Sequence, residues 1–199
     1  LERRFLRPKF RRRLWGRRRW RVRRRRRLGS VVAMDLARLL RHLLWTPGRL
    51  GRSFTPATRQ AIAQAIHAAE QVHDGQIRFA VEGALPPALL LRGSSPRERA
   101  IEVFSRLRVW DTERNIGVLI YVLLADHAVE LVADRGIHAR ADATTWSGIC
   151  RRVEAAFSRG DYEAGALLAI EGVAETLGRH FPHRPPAGNE LSDEAELLQ

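Results

Sequence analysis

Leu36, Leu39, Leu40, Leu43 and Leu44 recur at i, i+3, i+4, i+7 and i+8, the spacing of one helix face. Asp35 stands where a helix cap is needed, and Arg38, Arg41 and His42 fall on the other side. The pattern predicts an amphipathic helix over Leu36–Trp45, ended by Thr46-Pro47-Gly48. Thr55-Pro56 then opens a helix to about Val72, with Ile62, Ile66 and Ala69 inward. The period changes to two over Gln76–Glu82, where Ile77, Phe79 and Val81 share one face of a strand. Leu85–Ser95, with Pro86, Pro87 and Gly93, is a loop. Ser95-Pro96 caps a third helix to about Val109, with Ala100, Ile101, Phe104 and Leu107 inward.

Ile116–Leu124 is almost continuously apolar, the signature of a strand covered on both faces. Asp126-His127 turns the chain, and Ala128–Ala133 pairs back. Helices follow over Ala143–Ser158 and Tyr162–Phe181, broken at Gly160-Asp161 with Asp161 as cap. The order helix, helix, strand, helix, strand, strand, helix, helix predicts an α/β fold. It has a small sheet of three or more strands with helices on both faces. From Pro182 the chain carries Pro185-Pro186, Gly188 and an acidic end, so residues 183–199 are expected to be a disordered tail.

Charge divides the chain. Residues 1–27 hold 16 of the 35 Lys/Arg and one of the 22 Asp/Glu, which leaves 19 bases against 21 acids for the remainder. The net charge of +13 thus belongs to an Arg-rich leader over residues 1–33, and the body is slightly acidic. Three readings of the leader follow: an arm for nucleic acid or anionic lipid, with Trp15 and Trp20 for stacking; a disordered tail; or sequence upstream of the true start. Met34 is the only methionine and directly precedes the first helix, so the expected native start is Met34; mapping the native N-terminus decides this. Domain boundaries are then 34–53 for the amphipathic helix and a linker, and 54–182 for the folded domain.

The longest apolar run, Ile116–Ala125, falls far short of the roughly 20 residues of a spanning helix. Glu2-Arg3-Arg4-Phe5-Leu6-Arg7 is followed by more arginine rather than an apolar core, which argues against an export signal. The single cysteine, Cys150, excludes an internal disulfide, fits a reducing compartment and reads as a packing residue.

Residues 54–181 resemble the TPM domain, the TPM phosphatase-like family. The resemblance rests on the helix and strand ending at Ile77–Glu82, the Ala100–Trp110 helix, and the strand start Asn115-Ile116-Gly117-Val118-Leu119-Ile120. It continues through the Val129–Ala133 strand and the junction Phe157-Ser158-Arg159-Gly160-Asp161-Tyr162. It implies divalent-metal binding as in some relatives, acid phosphatase activity as in one branch, or assistance to membrane complexes as in others. Two loops depart from the family pattern. A family-like Gly-Tyr-Gly-Leu-Glu is here Asp134-Arg135-Gly136-Ile137-His138, and Asp-Asn-Gly is here Arg114-Asn115-Ile116-Gly117. The family's acidic site would sit there, which argues against carrying over metal binding and, more so, phosphatase activity.

From the residues themselves, Asp111, Glu113 and Asp134 are the candidate ligands for a hard cation, Ca²⁺ or Mg²⁺. The bland alternatives are a turn cap for Asp111 and pairing of Glu113 with Arg114 and of Asp134 with Arg135. His127 and His138 lie at opposite ends of one strand, and His180 and His183 flank a helix end, so neither pair makes a zinc site. No Gly-x-Ser-x-Gly elbow, Cys-x₅-Arg loop or Gly-x₄-Gly-Lys-Ser phosphate loop occurs. Arg108, Trp110 and Arg135 form a candidate partner surface, against the alternative that Trp110 closes the core. Leu36, Leu40, Leu43 and Leu44 form a candidate membrane or partner face, against plain packing of the helix on the domain. The sequence therefore reads as a cytoplasmic, non-catalytic accessory module with a protein partner, peripheral to the inner face of a membrane. A metal-dependent phosphatase is the alternative. Nucleic-acid binding follows only from the leader.

Overall fold

The computed structural model describes residues 36–138, 140, 143–182 and 189–198, all within the unit Ala33–Gln199. The leader with its nucleic-acid reading, Asp35 and His183 lie outside the described residues.

Four strands form one mixed sheet: β1 (Gln76–Glu82), β2 (Gly117–Leu123), β3 (Ala128–Ala133) and β4 (Glu196–Leu198), in the order β3-β2-β1-β4. β1 runs parallel to β2 and β4, whereas β3 returns antiparallel to β2. The register sets Phe79 beside Ile120 and Val122 beside Val129, so apolar side chains stack across strands. Every residue of β2 is buried because both faces are covered, as its unbroken apolar run requires.

One face packs Ile77, Phe79, Val118 and Ile120 against three helices: α3 (Pro56–Glu70), α6 (Ala143–Ser158) and α7 (Tyr162–His180). The other packs Ala80, Leu119 and Leu123 against Ala100 and Val103 of α5 (Pro96–Arg106). The α/β fold with helices on both sides of the sheet is as the sequence predicts. Two helix starts are also as read. Thr55 accepts a hydrogen bond from the Thr58 N–H at 3.2 Å, and Ser95 and Glu98 form a reciprocal capping box.

Several local expectations are corrected. The 85–95 loop contains a short helix, α4 (Pro87–Leu91). Ile101 is exposed, because α5 turns Arg99, Ala100 and Val103 inward so that Arg99 reaches Glu82. Asp161 makes no capping bond; its carboxylate accepts from Arg159 Nε at 3.0 Å. The expected linker after residue 45 is a helix, α2 (Pro47–Ser53), anchored by buried Leu50 and followed by buried Phe54.

The acidic end is not the disordered tail expected, since Glu196–Leu198 supplies β4. The reason is Arg78, a charge at the sheet edge that needs acceptors. Its guanidinium donates to the Ser192 carbonyl at 2.6 Å, the Glu194 carbonyl at 3.0 Å and the Glu196 carboxylate at 2.8 Å. Gln76 Oε1 accepts from the Glu190 and Leu191 N–H groups, and Leu198 is buried in the second core. Acidic composition reads as disorder only while the arginine across the sheet edge is unknown.

Candidate interaction site at the carboxyl ends of the strands

The two loops singled out in the sequence do meet, at the end where β2 begins and β3 ends. The Asp134 N–H donates to the Gly117 carbonyl at 2.9 Å, and the Gly136 N–H to the Asn115 carbonyl at 3.0 Å. A Cβ at Gly136 would collide with that Asn115 oxygen, so the close approach requires glycine. Arg135 donates through Nε and Nη2 to Asn115 Oδ1, which fixes its guanidinium on this loop. Asp134 is buried. Its Oδ1 accepts from the Arg135 N–H at 2.6 Å, whereas Oδ2 is buried with no hydrogen-bond partner among the described residues.

Asp111 and Glu113 are exposed on the preceding loop, and the Glu113 N–H is held by Glu190 at 2.7 Å. No group of three or more His, Cys, Asp or Glu side chains suited to a metal occurs among the described residues. The side chains present thus offer one buried orphan oxygen rather than a ligand set, and no reaction step is drawn through a metal. Arg114 pairs with Asp74, not with Glu113. Trp110 is 48% exposed and Arg108 is exposed, so Trp110 does not close the core as the packing alternative expects. Val109, fully buried, does that instead.

The opposite end of the sheet, at the carboxyl ends of β1 and β2, is covered by α1 (Leu36–Leu43) and α2. α1 docks by its polar side. Arg38 donates to both Asp126 carboxylate oxygens, at 2.7 Å from Nη2 to Oδ2 and 3.1 Å from Nε to Oδ1, and to the Ser94 carbonyl at 2.9 Å. His42, one turn on, is buried. Its Nδ1 accepts the Leu85 N–H at 2.9 Å, so Nε2 carries the proton and donates to Asp126 Oδ1 at 3.0 Å. Burial alone would raise the Asp126 pKa, but the hydrogen bonds from Arg38 and His42 and the Arg38 charge outweigh it and hold the carboxyl below its ordinary value. A buried carboxylate beyond β2 thus finds its partners at i and i+4 of α1.

The consequence is that the leucines face away from the domain. Leu36, Leu40, Leu43 and Leu44 are 63%, 49%, 59% and 69% exposed. Packing of this helix on the domain is real, but its apolar stripe takes no part in it.

Next to that stripe lies a cavity of about 590 Å³. Arg41, Arg49, Arg52 and His127 line it, with Leu44, Trp45, Leu124 and Tyr162 as apolar wall. Among the described residues no acidic one lines it. Arg49 lies over the Trp45 ring at 5.9 Å from its centroid. The Arg41 Nε donates to the Ala125 carbonyl at 3.2 Å. Trp45 reaches its place because Gly83, just past β1, has no side chain; a Cβ there would strike the indole nitrogen. Tyr162 is held by ring contacts with Phe54 and Phe157. Sequence reading missed this group, since its members come from four separate segments. The one available signal was charge: between Leu36 and Ala69 there are five arginines and no Asp or Glu.

Two other buried groups lie away from this cavity. Glu82 accepts from Arg99 Nε at 2.8 Å and Nη2 at 2.7 Å, and from the Tyr121 hydroxyl at 2.5 Å, a closed network inside the second core. Cys150 is partly buried; burial, reinforced by Glu130 and Glu154, pushes its thiol pKa up to about 11. The thiol is therefore protonated at neutral pH and unreactive, in keeping with a packing residue.

Among the described residues no helix is long and apolar enough to cross a membrane. Comparison with functionally curated proteins gave no match. Among solved structures, the chain is similar to the NMR structure of the BA42 protein from the psychrophilic bacterium Bizionia argentinensis. The two are 26% identical with a TM-score of 0.64, over 72% of this chain and 94% of that one. The family model described as the TPM domain matches residues 51–176, which includes the loops of residues 111–117 and 134–138 and all of the sheet except β4, whereas α1, Trp45 and Arg49 precede it. The chain belongs to the TPM domain family.

Proposed function

We propose that this protein is a non-catalytic TPM binding module that attaches to the anionic inner face of a membrane through α1. The observation that carries the reading is the orientation of α1. Its arginine and histidine side is bound to the domain around Asp126, and its leucines are presented outward. At eight residues α1 lies on a bilayer rather than spanning it. Exposed leucines are unremarkable singly, but three on one short helix and Leu44 directly after it form a contiguous apolar face. The acid-free, five-arginine stretch around it complements an anionic surface.

Leu40→Glu tests this. Leu40 is half-exposed, so the variant retains the fold, which circular dichroism checks. Flotation of the full chain with phosphatidylglycerol vesicles is measured at about 0.5 M salt, where the Debye length is only about 4 Å and the leader's attraction is screened. Leu40→Glu is expected to bind at least about tenfold more weakly than the parent, equivalent to about 1.4 kcal/mol. Equal binding rejects lipid as the partner of the leucine face and assigns that face to a protein.

A second reading, a divalent-metal-dependent phosphatase, is favoured by a single observation, the orphaned Asp134 Oδ2. It predicts that Ca²⁺ or Mg²⁺ produces saturable amide NMR shifts confined to residues 111–115 and 134–138. It also predicts phosphate-ester hydrolysis that is lost with chelator and with Asp134→Ala. Spectra that do not move with either ion dismiss it.

A further inference from the structure

We propose that the cavity formed by Arg41, Arg49, Arg52, His127, Trp45 and Tyr162 is a binding site for the phosphate-bearing headgroup of an anionic phospholipid. The inference deepens the membrane reading of α1 and rests on it for the source of the ligand.

Four observations converge on this site. First, the charge at the cavity is one-sided. Among the described residues three arginines line it and no acid does. Asp126 accepts hydrogen bonds from Arg38 and His42 and forms a longer salt bridge with Arg41 Nη2 at 3.7 Å. Arg49 and Arg52 are exposed and make no salt bridge among the described residues. The guanidinium groups of Arg49 and Arg52, without carboxylate partners among the described residues, are suited to a phosphate, which guanidinium binds through paired, charge-assisted hydrogen bonds; Arg41 alone is shared with Asp126.

Second, the wall has a shape for a small organic group rather than an ion alone. A volume of about 590 Å³ lies in the range of ligand sites. The aromatic rings of Trp45 and Tyr162 offer flat apolar surface to a glycerol or sugar-like moiety beside the phosphate.

Third, the place is one where α/β proteins bind ligands, the carboxyl ends of parallel strands. Leu124, Ala125 and His127 follow directly from β2, and the Ala125 N–H donates to the carbonyl of Gly83, the residue after β1, at 2.9 Å.

Fourth, Leu44 belongs both to the cavity wall and to the exposed leucine face. A headgroup in the cavity therefore has its acyl chains directed along α1, the face that would enter the bilayer. A soluble phosphate compound would have no use for that continuity, which is why a lipid is the ligand inferred.

The probe is dihexanoyl-phosphatidylglycerol below its micelle concentration, titrated into the full chain and followed by amide NMR. Saturable shifts are expected at Trp45, at residues 49–53 and at residues 124–127. The leader has its own resonances, so its non-specific binding is read separately. Arg49→Gln combined with Arg52→Gln, both exposed positions, should weaken the saturable shifts at least tenfold. Dihexanoyl-phosphatidylcholine should leave them unmoved. Inorganic phosphate should bind at least tenfold more weakly than the lipid.

The proposal is overturned if these residues do not shift, if phosphatidylcholine shifts them equally, if the double variant binds as the parent does, or if inorganic phosphate matches the lipid. Leu40→Glu separates this inference from the reading it rests on. Leu40 does not line the cavity, so the variant should lose vesicle binding yet keep the shifts with the monomeric lipid. Parent-like vesicle binding by Leu40→Glu, with intact lipid shifts, removes the leucine face and retains the headgroup site. Loss of the monomeric-lipid shifts in Leu40→Glu shows that the acyl chain alone was recognised and overturns it.

Discussion

Arg99→Met will destabilise the domain by about 3–5 kcal/mol, the cost of leaving one partner of a buried ion pair alone. Glu82 is completely buried, and Arg99 supplies both of its charge-compensating hydrogen bonds. Without the guanidinium, the carboxylate keeps only the Tyr121 hydroxyl and must either remain as an uncompensated charge or take up a proton. The same environment already raises the Tyr121 pKa, through burial first and then the Glu82 charge, so Tyr121 acts only as a donor. For a domain of this size each kcal/mol moves the melting temperature by about 2–4 °C, so a fall of roughly 10 °C is expected in a thermal melt. Adding Glu82→Gln should restore much of the loss, because a neutral amide no longer needs the arginine and its oxygen still accepts from Tyr121. A loss below about 1 kcal/mol in the single variant would mean that water reaches Glu82 and that the pair behaves like a surface bridge.

Glu70→Gln should do the opposite, stabilising the protein, and only at higher pH. Glu70 closes α3 and points into the core. Its Oε1 accepts the Ile77 N–H at 2.7 Å, and its Oε2 is buried without a partner. Burial drives its pKa up to about 8; the Ile77 N–H opposes this and the Asp193 charge adds to it. Below the ordinary value of 4.5 the residue is protonated in both folded and unfolded chains, and Glu70 is neutral to stability there. Between that value and about 8 the folded state binds a proton that the unfolded state has lost, so stability falls as pH rises. Above about 8 the whole penalty is present, several kcal/mol at about 1.4 kcal/mol per pKa unit. Urea melts at pH 5 and pH 9 read this directly. Glu70→Gln should raise the midpoint at pH 9 far more than at pH 5, and Asp193→Asn should reproduce a small part of the gain. A variant whose midpoint follows the parent's pH dependence would place the Glu70 carboxylate in water.

The relation between α1 and the acidic tail shows how composition and tertiary structure diverge. Both segments are polar enough on one side to read as solvent-facing, and both instead use that polarity to dock. Arg38 and His42 donate to Asp126, which lies 84 residues or more along the chain, and Arg78 gathers backbone and carboxylate acceptors 114 to 118 residues away. Each contact removes a buried charge or an unpaired N–H, which costs more than leaving leucines in water one at a time.

The amino-acid sequence by itself determined the order of the long helices and of β1, β2 and β3, the inward faces of β1 and α3, the two-sided burial of β2, and the starts of α3 and α5. These follow from local rules: side-chain period, proline at the first helical turn, and hydroxyl caps that bond within three residues. The loops of residues 111–117 and 134–138 were also legible as neighbours, because an antiparallel turn fixes which ends meet. Only the tertiary structure decided which side of α1 faces out, that the tail forms β4, and that Arg41, Arg49, Arg52, His127 and Tyr162 share one cavity. Those outcomes depend on which distant group each charge must satisfy, and a charge carries no period along the chain from which its partner can be read.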